Sequence, residues 1–214
     1  MTTPRIKICG ISTADALDAA IAARTDFAGL VFFPPSPRHV DSGTAAALAA
    51  RAGDRIARVG LFVDADDALM AEAVAAGRLD ALQLHGAETP QRVAQVQARF
   101  GLPVWKALSV SNATDVTRAQ AYRGVADLIL FDARTPKDAA LPGGMGLRFD
   151  WSLVASWRGQ PGWGLAGGLN PANVAEAIAQ AGPPLVDTSS GVESAPGVKD
   201  VDRIAAFCAA ARAG

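Results

Sequence analysis

Residues 5–23 read Arg5-Ile6-Lys7-Ile8-Cys9-Gly10-Ile11-Ser12, followed by Thr13–Ala23, an Ala-rich stretch of helical period. The first half alternates apolar and polar residues and is β-branched, which predicts a strand over Arg5–Cys9. The turn between the halves decides between two folds. An open doubly wound sheet that binds a dinucleotide carries G-x-G-x-x-G after its first strand. Here that turn is Cys9-Gly10-Ile11-Ser12, with no such pattern.

The same strand-then-helix unit recurs along the chain. Further strands are expected at Ala28–Phe32, Ile56–Val63, Ala81–Leu84, Val104–Leu108, Leu128–Phe131, Gly164–Ala166 and Leu185–Val186. Helical stretches are expected at Thr44–Ala52, Ala68–Ala76, Pro90–Phe100, Ala113–Tyr122, Ala172–Gln180 and Val201–Ala211. Strands that alternate with helices imply a parallel sheet covered on both faces. Eight units in 214 residues predict a closed (β/α)₈ TIM barrel, a single domain spanning 1–214.

Composition sets the outer bounds. Half the residues are hydrophobic and 19% are charged, which excludes a disordered chain. A folded chain of this mass buries roughly 70% of its surface, enough for one core without metals or disulfides. Twenty basic against 21 acidic residues, with no basic cluster, give no footprint for nucleic acid. The longest apolar runs fall far short of the ~20 residues of a membrane-spanning helix. The start, MTTPRIKICG, lacks the apolar core of a secretory signal, so Cys9 and Cys208 are expected as reduced thiols in the cytoplasm.

In a barrel of this kind the active site lies at the carboxyl ends of the strands, with phosphate often bound after the last two. Gly167-Gly168 follows the seventh strand, and Ser189-Ser190-Gly191 follows the eighth. Glycine amides and hydroxyls in both places form candidate anion nests. Asn170 is expected to cap the next helix, with Pro171 in its first turn. Cys9 ends the first strand, and Lys7 shares its face about 6.6 Å below. That ammonium is expected to favour the thiolate, or else to pair with Asp187 on the eighth strand. With Leu130 pointing inward, Asp132 points inward at the mouth. A thiolate and a carboxyl across a mouth suit general base and general acid. His85 reads either as a hydrogen-bonded structural residue or as a base paired with Cys9. Two histidines are too few for a His-rich metal site, so no metal is expected. Arg38 follows three prolines in four positions, and a stiff loop makes it a good partner for a carboxylate. The sixteen residues Ala133–Arg148, with Gly143-Gly144-Met145-Gly146, suggest an active-site lid. Cys208 falls in step with Ile204, Phe207 and Ala211 and reads as packing.

Taken in order, several strings resemble the phosphoribosylanthranilate isomerase family. They are Lys7-Ile8-Cys9-Gly10-Ile11, Phe32 to Ser36-Pro37-Arg38, Gln83-Leu84-His85-Gly86, Phe131-Asp132, Gly143-Gly144-x-Gly146 with Phe149-Asp150-Trp151, Gly167-Gly168-Leu169-Asn170-Pro171, and Ser189-Ser190-Gly191-Val192-Glu193 with Pro196-Gly197 and Lys199-Asp200. The resemblance implies a barrel and a cofactor-free Amadori rearrangement of a small phosphorylated substrate. It implies Cys9 as base, Asp132 as acid, Arg38 on the anthranilate carboxylate, and the Gly167–Gly168 and Ser189–Gly191 loops on phosphate. Ala133 and Met145 stand where the family usually carries threonine. Two other readings stay open at this point: a non-catalytic barrel that binds phosphorylated sugars, and a related ribose-phosphate aldose–ketose isomerase. The sequence leaves monomer and homodimer undecided.

Overall fold

The computed structural model describes residues 3–133, 147–157 and 162–214. Eight parallel strands close into a barrel in sequence order: β1 (Arg5–Cys9), β2 (Phe27–Val31), β3 (Ala57–Phe62), β4 (Ala81–Leu84), β5 (Val104–Val110), β6 (Leu128–Ala133), β7 (Trp163–Leu165) and β8 (Leu185–Thr188). The helices are α1 (Ala14–Ala22), α2 (Ser42–Ala52), α3 (Asp67–Gly77), α4 (Pro90–Phe100), α5 (Ala113–Arg118), α6 (Val174–Ala181) and α7 (Val201–Ala213).

Side chains partition as the twofold period of a strand requires. One set from the strands, Val59, Ala81, Trp105, Leu128, Leu130 and Leu185, fills the barrel interior. The alternate set, including Ile6, Ile8, Leu30, Leu82 and Phe131, packs under the helices. Phe27 meets Trp105 edge-on within the barrel, ring centroids 5.0 Å apart. Lys106 belongs to the outer set. Its ammonium is buried against Glu88 at 3.0 Å and the carbonyls of Leu84, Gly86 and Ala107.

Local chemistry explains the element starts. Thr13, Asp41, Asp66, Thr89, Asn112 and Asp200 each accept a backbone N–H from the first turn of the helix that follows, satisfying one of its orphan donors. At the opposite end of the barrel from the site, a second device repeats on alternate strands. Asp26, Asp80 and Asp127 each precede a strand and accept an N–H from the strand before it, at Ile6, Arg58 and Val104, over 2.7–2.8 Å.

The structure departs from the sequence expectation in three places. Asn170 does not cap α6: its carboxamide oxygen accepts from Ala172, the helix begins at Val174, and Asn173 precedes it. Pro171 therefore lies in the preceding turn. After β8 comes only a three-residue 3-10 turn, Ser190–Val192. The chain then forms a small hairpin, β9 (Glu193–Ala195) with β10 (Val198–Lys199), which the sequence did not announce. Of the expected lid, Ala133–Arg148, residues 134–146 lie outside the described residues, and Ala133 is the last residue of β6. Among the described residues no helix is long and apolar enough to cross a membrane.

Candidate active site

A cavity opens at the carboxyl ends of the strands. Its floor and side carry Cys9, Gln83, His85, Asp132 and Asp187; the glycine-rich turn after β7, Thr188 at the end of β8 and residues 189–191 after it also line it. The topology thus brings the predicted acid–base pair and both predicted anion loops to one place.

Cys9 ends β1 and faces into the barrel with Val31 and Leu61. Lys7, two residues back on the same face, is fully buried, and its Nζ lies 3.1 Å from both carboxylate oxygens of Asp187. The register explains that pair, since Lys7 stands opposite Asp187 across β1 and β8. Gly29 stands opposite Cys9 on β2. A Cβ there would sit 3.0 Å from Cys9 Sγ and 3.1 Å from Lys7 Nζ. The missing side chain is what lets thiol and ammonium converge.

One ammonium faces two acidic groups in this cluster. Burial works against charge on Lys7, but the Asp187 carboxylate and Cys9 outweigh it and hold its pKa above the ordinary lysine value. Burial pushes the Asp187 carboxyl up against the pull of Lys7. Burial also pushes the Cys9 thiol up, helped by Asp187 and opposed by Lys7 and Lys199. Lys7 thus favours the thiolate and pairs with Asp187, the two roles expected of it, yet the net shift at Cys9 is upward. Lys7 already serves Asp187, and desolvation wins at the sulfur.

Asp132 lies inward at the end of β6, 8% exposed. Its Oδ1 accepts from the Ala133 amide at 2.8 Å, and its Oδ2 lies 3.2 Å from His85 Nε2. The other ring nitrogen of His85 meets the Gln83 amide nitrogen at 3.0 Å. Both nitrogens are thus engaged, neither by Cys9, and the alternative of a Cys9–His85 pair is set aside. The turn after β7 passes over Asp132. Gly167 has φ +83°, and a Cβ would lie 2.3 Å from the Ala133 nitrogen and 2.9 Å from Asp132 Oδ1, so only glycine fits.

The two anion loops are joined. Thr188 Oγ1 donates to the Leu169 carbonyl at 2.7 Å. Ser189 is tied from outside the cavity, where Lys199 Nζ donates to its carbonyl at 3.0 Å and lies 3.2 Å from its hydroxyl. Lys199 also meets Glu193 at 2.6 Å. Glu193 in turn grips Arg38 through two bonds, Nε at 2.7 Å and Nη2 at 2.8 Å. Burial would raise the Glu193 carboxyl, but Arg38 and Lys199 outweigh it and hold its pKa at about 2. Arg38 is buried beside the mouth and is not among the residues lining the cavity. Cys208 is buried in α7 with Ile204, Phe207 and Ala211, and burial pushes its thiol up to about 11.

Gly29 escaped the sequence reading because a glycine inside a strand carries no signal until its register is known. Gln83, Glu193 and Lys199 stood in the motif strings without a role. A buried arginine at the mouth does require a carboxylate, and Glu193 was one candidate among 21 acidic residues.

The model of the family described as N-(5'phosphoribosyl)anthranilate (PRA) isomerase matches residues 6–210. The chain belongs to that family. An N-(5'-phosphoribosyl)anthranilate isomerase from Paracoccus denitrificans is 56% identical over 208 residues, covering 97% of each chain. The crystal structure of phosphoribosyl anthranilate isomerase from Thermotoga maritima superposes with a TM-score of 0.88 at 36% identity, covering 99% of this chain and 100% of that one. A crystal structure of phosphoribosyl anthranilate isomerase in complex with reduced 1-(o-carboxyphenylamino)-1-deoxyribulose 5-phosphate gives a TM-score of 0.85 at 34% identity, over 99% and 100% of the two chains. Membership agrees with the closed eight-stranded barrel and with the motif strings in their order.

Proposed function

We propose that this chain isomerises N-(5-phosphoribosyl)anthranilate to 1-(2-carboxyphenylamino)-1-deoxyribulose 5-phosphate in the cytoplasm, with Cys9 as general base and Asp132 as general acid. The observation that carries the reading is the single cavity in which these two residues face the paired loops after β7 and β8. Those loops are assigned to the phosphate. Successive left-handed glycines, Gly167 and Gly168, with the hydroxyls of Ser189 and Ser190, suit an anion.

Protonated Asp132 gives its proton to the ribose ring oxygen, and the C1′–O bond opens to a protonated imine. That cation acidifies the C2′ hydrogen. The Cys9 thiolate removes it and leaves an enolamine, which tautomerises to the C2′ ketone as C1′ takes up a proton. Lys7 stabilises the thiolate while it exists, and the adjacent iminium adds to that pull. Each proton-transfer group contributes about 10²–10⁴-fold. Arg38, oriented by Glu193, is assigned to the anthranilate carboxylate. His85, Lys7 and Asp187 support the acid and the base.

Neither alternative is favoured. A non-catalytic sugar-phosphate binder gives no reason to hold an inward thiol and carboxyl around one cavity. The similar proteins carry the name of this isomerase, not of a related ribose-phosphate isomerase. Anthranilate fluorescence of the substrate, followed with and without the protein, tests the proposal. Accelerated loss of the substrate signal is expected, and a rate equal to that of buffer contradicts the reading.

A further inference from the structure

Gln83 is a problem for a barrel interior. It is buried on β4 at the floor of the cavity, and among the described residues its Oε1 has no hydrogen-bond partner. An unsatisfied buried polar atom costs about 1–3 kcal/mol, so its presence calls for an explanation. Its Nε2 does have a partner, His85 Nδ1, and His85 Nε2 reaches Asp132 Oδ2. Three side chains therefore stand in line from the barrel interior to the acid.

The protons along that line follow from donor and acceptor rules. With the Gln83 amide nitrogen donating to Nδ1, neutral His85 carries its proton on Nε2 and donates it to Asp132. Asp132 then accepts two N–H groups, from His85 and from Ala133, which suits a carboxylate. That is the state after the acid has given up its proton. The state before needs a proton on Oδ2, and His85 Nε2 must then accept it. The imidazole proton must sit on Nδ1, and Gln83 must offer oxygen there instead of nitrogen. A half-turn of the amide does this without moving any other atom. Each orientation leaves one amide atom unpaired, so neither is locked by a second bond. The two arrangements differ by one proton. A proton taken up at Nδ1 either stays on the imidazole, as imidazolium facing the carboxylate, or displaces the Nε2 proton to Asp132, and release reverses the transfer.

We propose that Gln83 is a positioning residue whose amide orientation selects which nitrogen of neutral His85 carries the proton, and thereby whether His85 donates to the Asp132 carboxylate or accepts from its carboxylic acid. The proposal rests on Asp132 as the general acid. The charged and titratable groups around the line are Lys7, Cys9 and Asp187 on β1 and β8; the Gly167 turn covers Asp132 from β7. None of these offers His85 Nδ1 an alternative partner.

Imidazole nitrogen-15 spectra read the tautomer directly and need no turnover. His39, the other histidine, is removed by His39→Gln to leave one signal set. In the protein with wild-type Gln83, His85 is expected as the Nε2–H form at high pH and as the neutral Nδ1–H form, not imidazolium, once the pair has taken up a proton. In Gln83→Met the tautomers mix at every pH, kcat falls about tenfold, and KM stays within about twofold. Gln83→Glu only accepts once its carboxyl is ionised, so Nδ1 should be protonated at high pH; this variant and the wild-type titration decide the matter if Gln83→Met does not fold. A single unchanging tautomer or passage straight to imidazolium in the wild type, or Nε2–H alone in Gln83→Glu at high pH, overturns the proposal. Unchanged kcat in folded Gln83→Met does so as well. Failure of the acid assignment itself shows separately, as normal turnover in Asp132→Asn.

Discussion

Replacing Gly29 by alanine adds one methyl group at the point where the base and its ammonium meet. The new carbon would sit 3.0 Å from both the Cα and the Sγ of Cys9 and 3.1 Å from Lys7 Nζ. Carbon contacts are comfortable at ~3.5–4.0 Å, so several tenths of an ångström must be found on three atoms at once. The backbone cannot give easily. The Gly29 carbonyl accepts from both Gly10 and Ile11 at 2.9 Å, and Cys9 and Gly29 are register partners in a closed barrel. Overpacking of this kind costs about 1–3 kcal/mol. The part that can move is the thiol, which shifts away from Lys7. A displaced base costs rate steeply, about 10²-fold for 1 Å, so a loss of tenfold or more in kcat is expected. Urea unfolding gives the first quantity and the isomerase assay the second. Gly43→Ala is the control: it lies in α2 with 3.6 Å of ordinary contact, and alanine there should be neutral or stabilising by up to ~1 kcal/mol. Gly29→Ala with an unchanged midpoint and kcat within twofold of wild type would refute the argument that this glycine exists to admit the thiol and the ammonium.

Three further outcomes are expected. Arg38→Ala removes the proposed carboxylate contact and should raise KM more than it lowers kcat; an unchanged KM removes Arg38 from substrate binding. Glu193 has a folded pKa of about 2 against 4.5 for the free group, so its pairing stabilises the fold above pH 4.5 and that contribution fades as pH falls toward 2. Acid titration of Glu193→Gln should accordingly lack a destabilising step seen in the wild type between those values, and identical acid profiles would contradict the Arg38–Glu193–Lys199 cluster. Because burial raises the Cys9 thiol, the ultraviolet thiolate signal lost in Cys9→Ala should be absent at neutral pH and emerge only above the ordinary thiol range. A full thiolate signal at neutrality would show that Lys7 dominates after all.

Much of this architecture was legible because strand chemistry is periodic. The alternation in Arg5–Cys9 put Lys7 and Cys9 on one face, and the apolar run Leu128–Phe131 pointed Asp132 inward. The Lys7–Asp187 pair was foreseeable as one of two partners for an inward lysine. What the sequence concealed depends on register and desolvation. Nothing local in Phe27–Val31 says that Gly29 faces Cys9, because the offset between neighbouring strands comes from barrel closure. The net rise at the Cys9 thiol was hidden because it depends on the burial of both Cys9 and Lys7, which no local string states. Asn170 was misplaced as a cap because the chain makes an extra turn, stapled by Asn173 to the Asn170 amide, before α6 begins. Glu193 became visible only when the hairpin of β9 and β10 folded it against Arg38.

The central claim is that Cys9 removes a carbon-bound proton while Asp132 supplies one to the ring oxygen. Single-turnover rates of Cys9→Ala and Asp132→Asn, measured beside their affinities for the reduced product analogue, test it most directly. The account predicts that each variant loses at least about 10²-fold in rate while binding the analogue nearly as tightly as wild type. Turnover within a few-fold of wild type in either variant would contradict it.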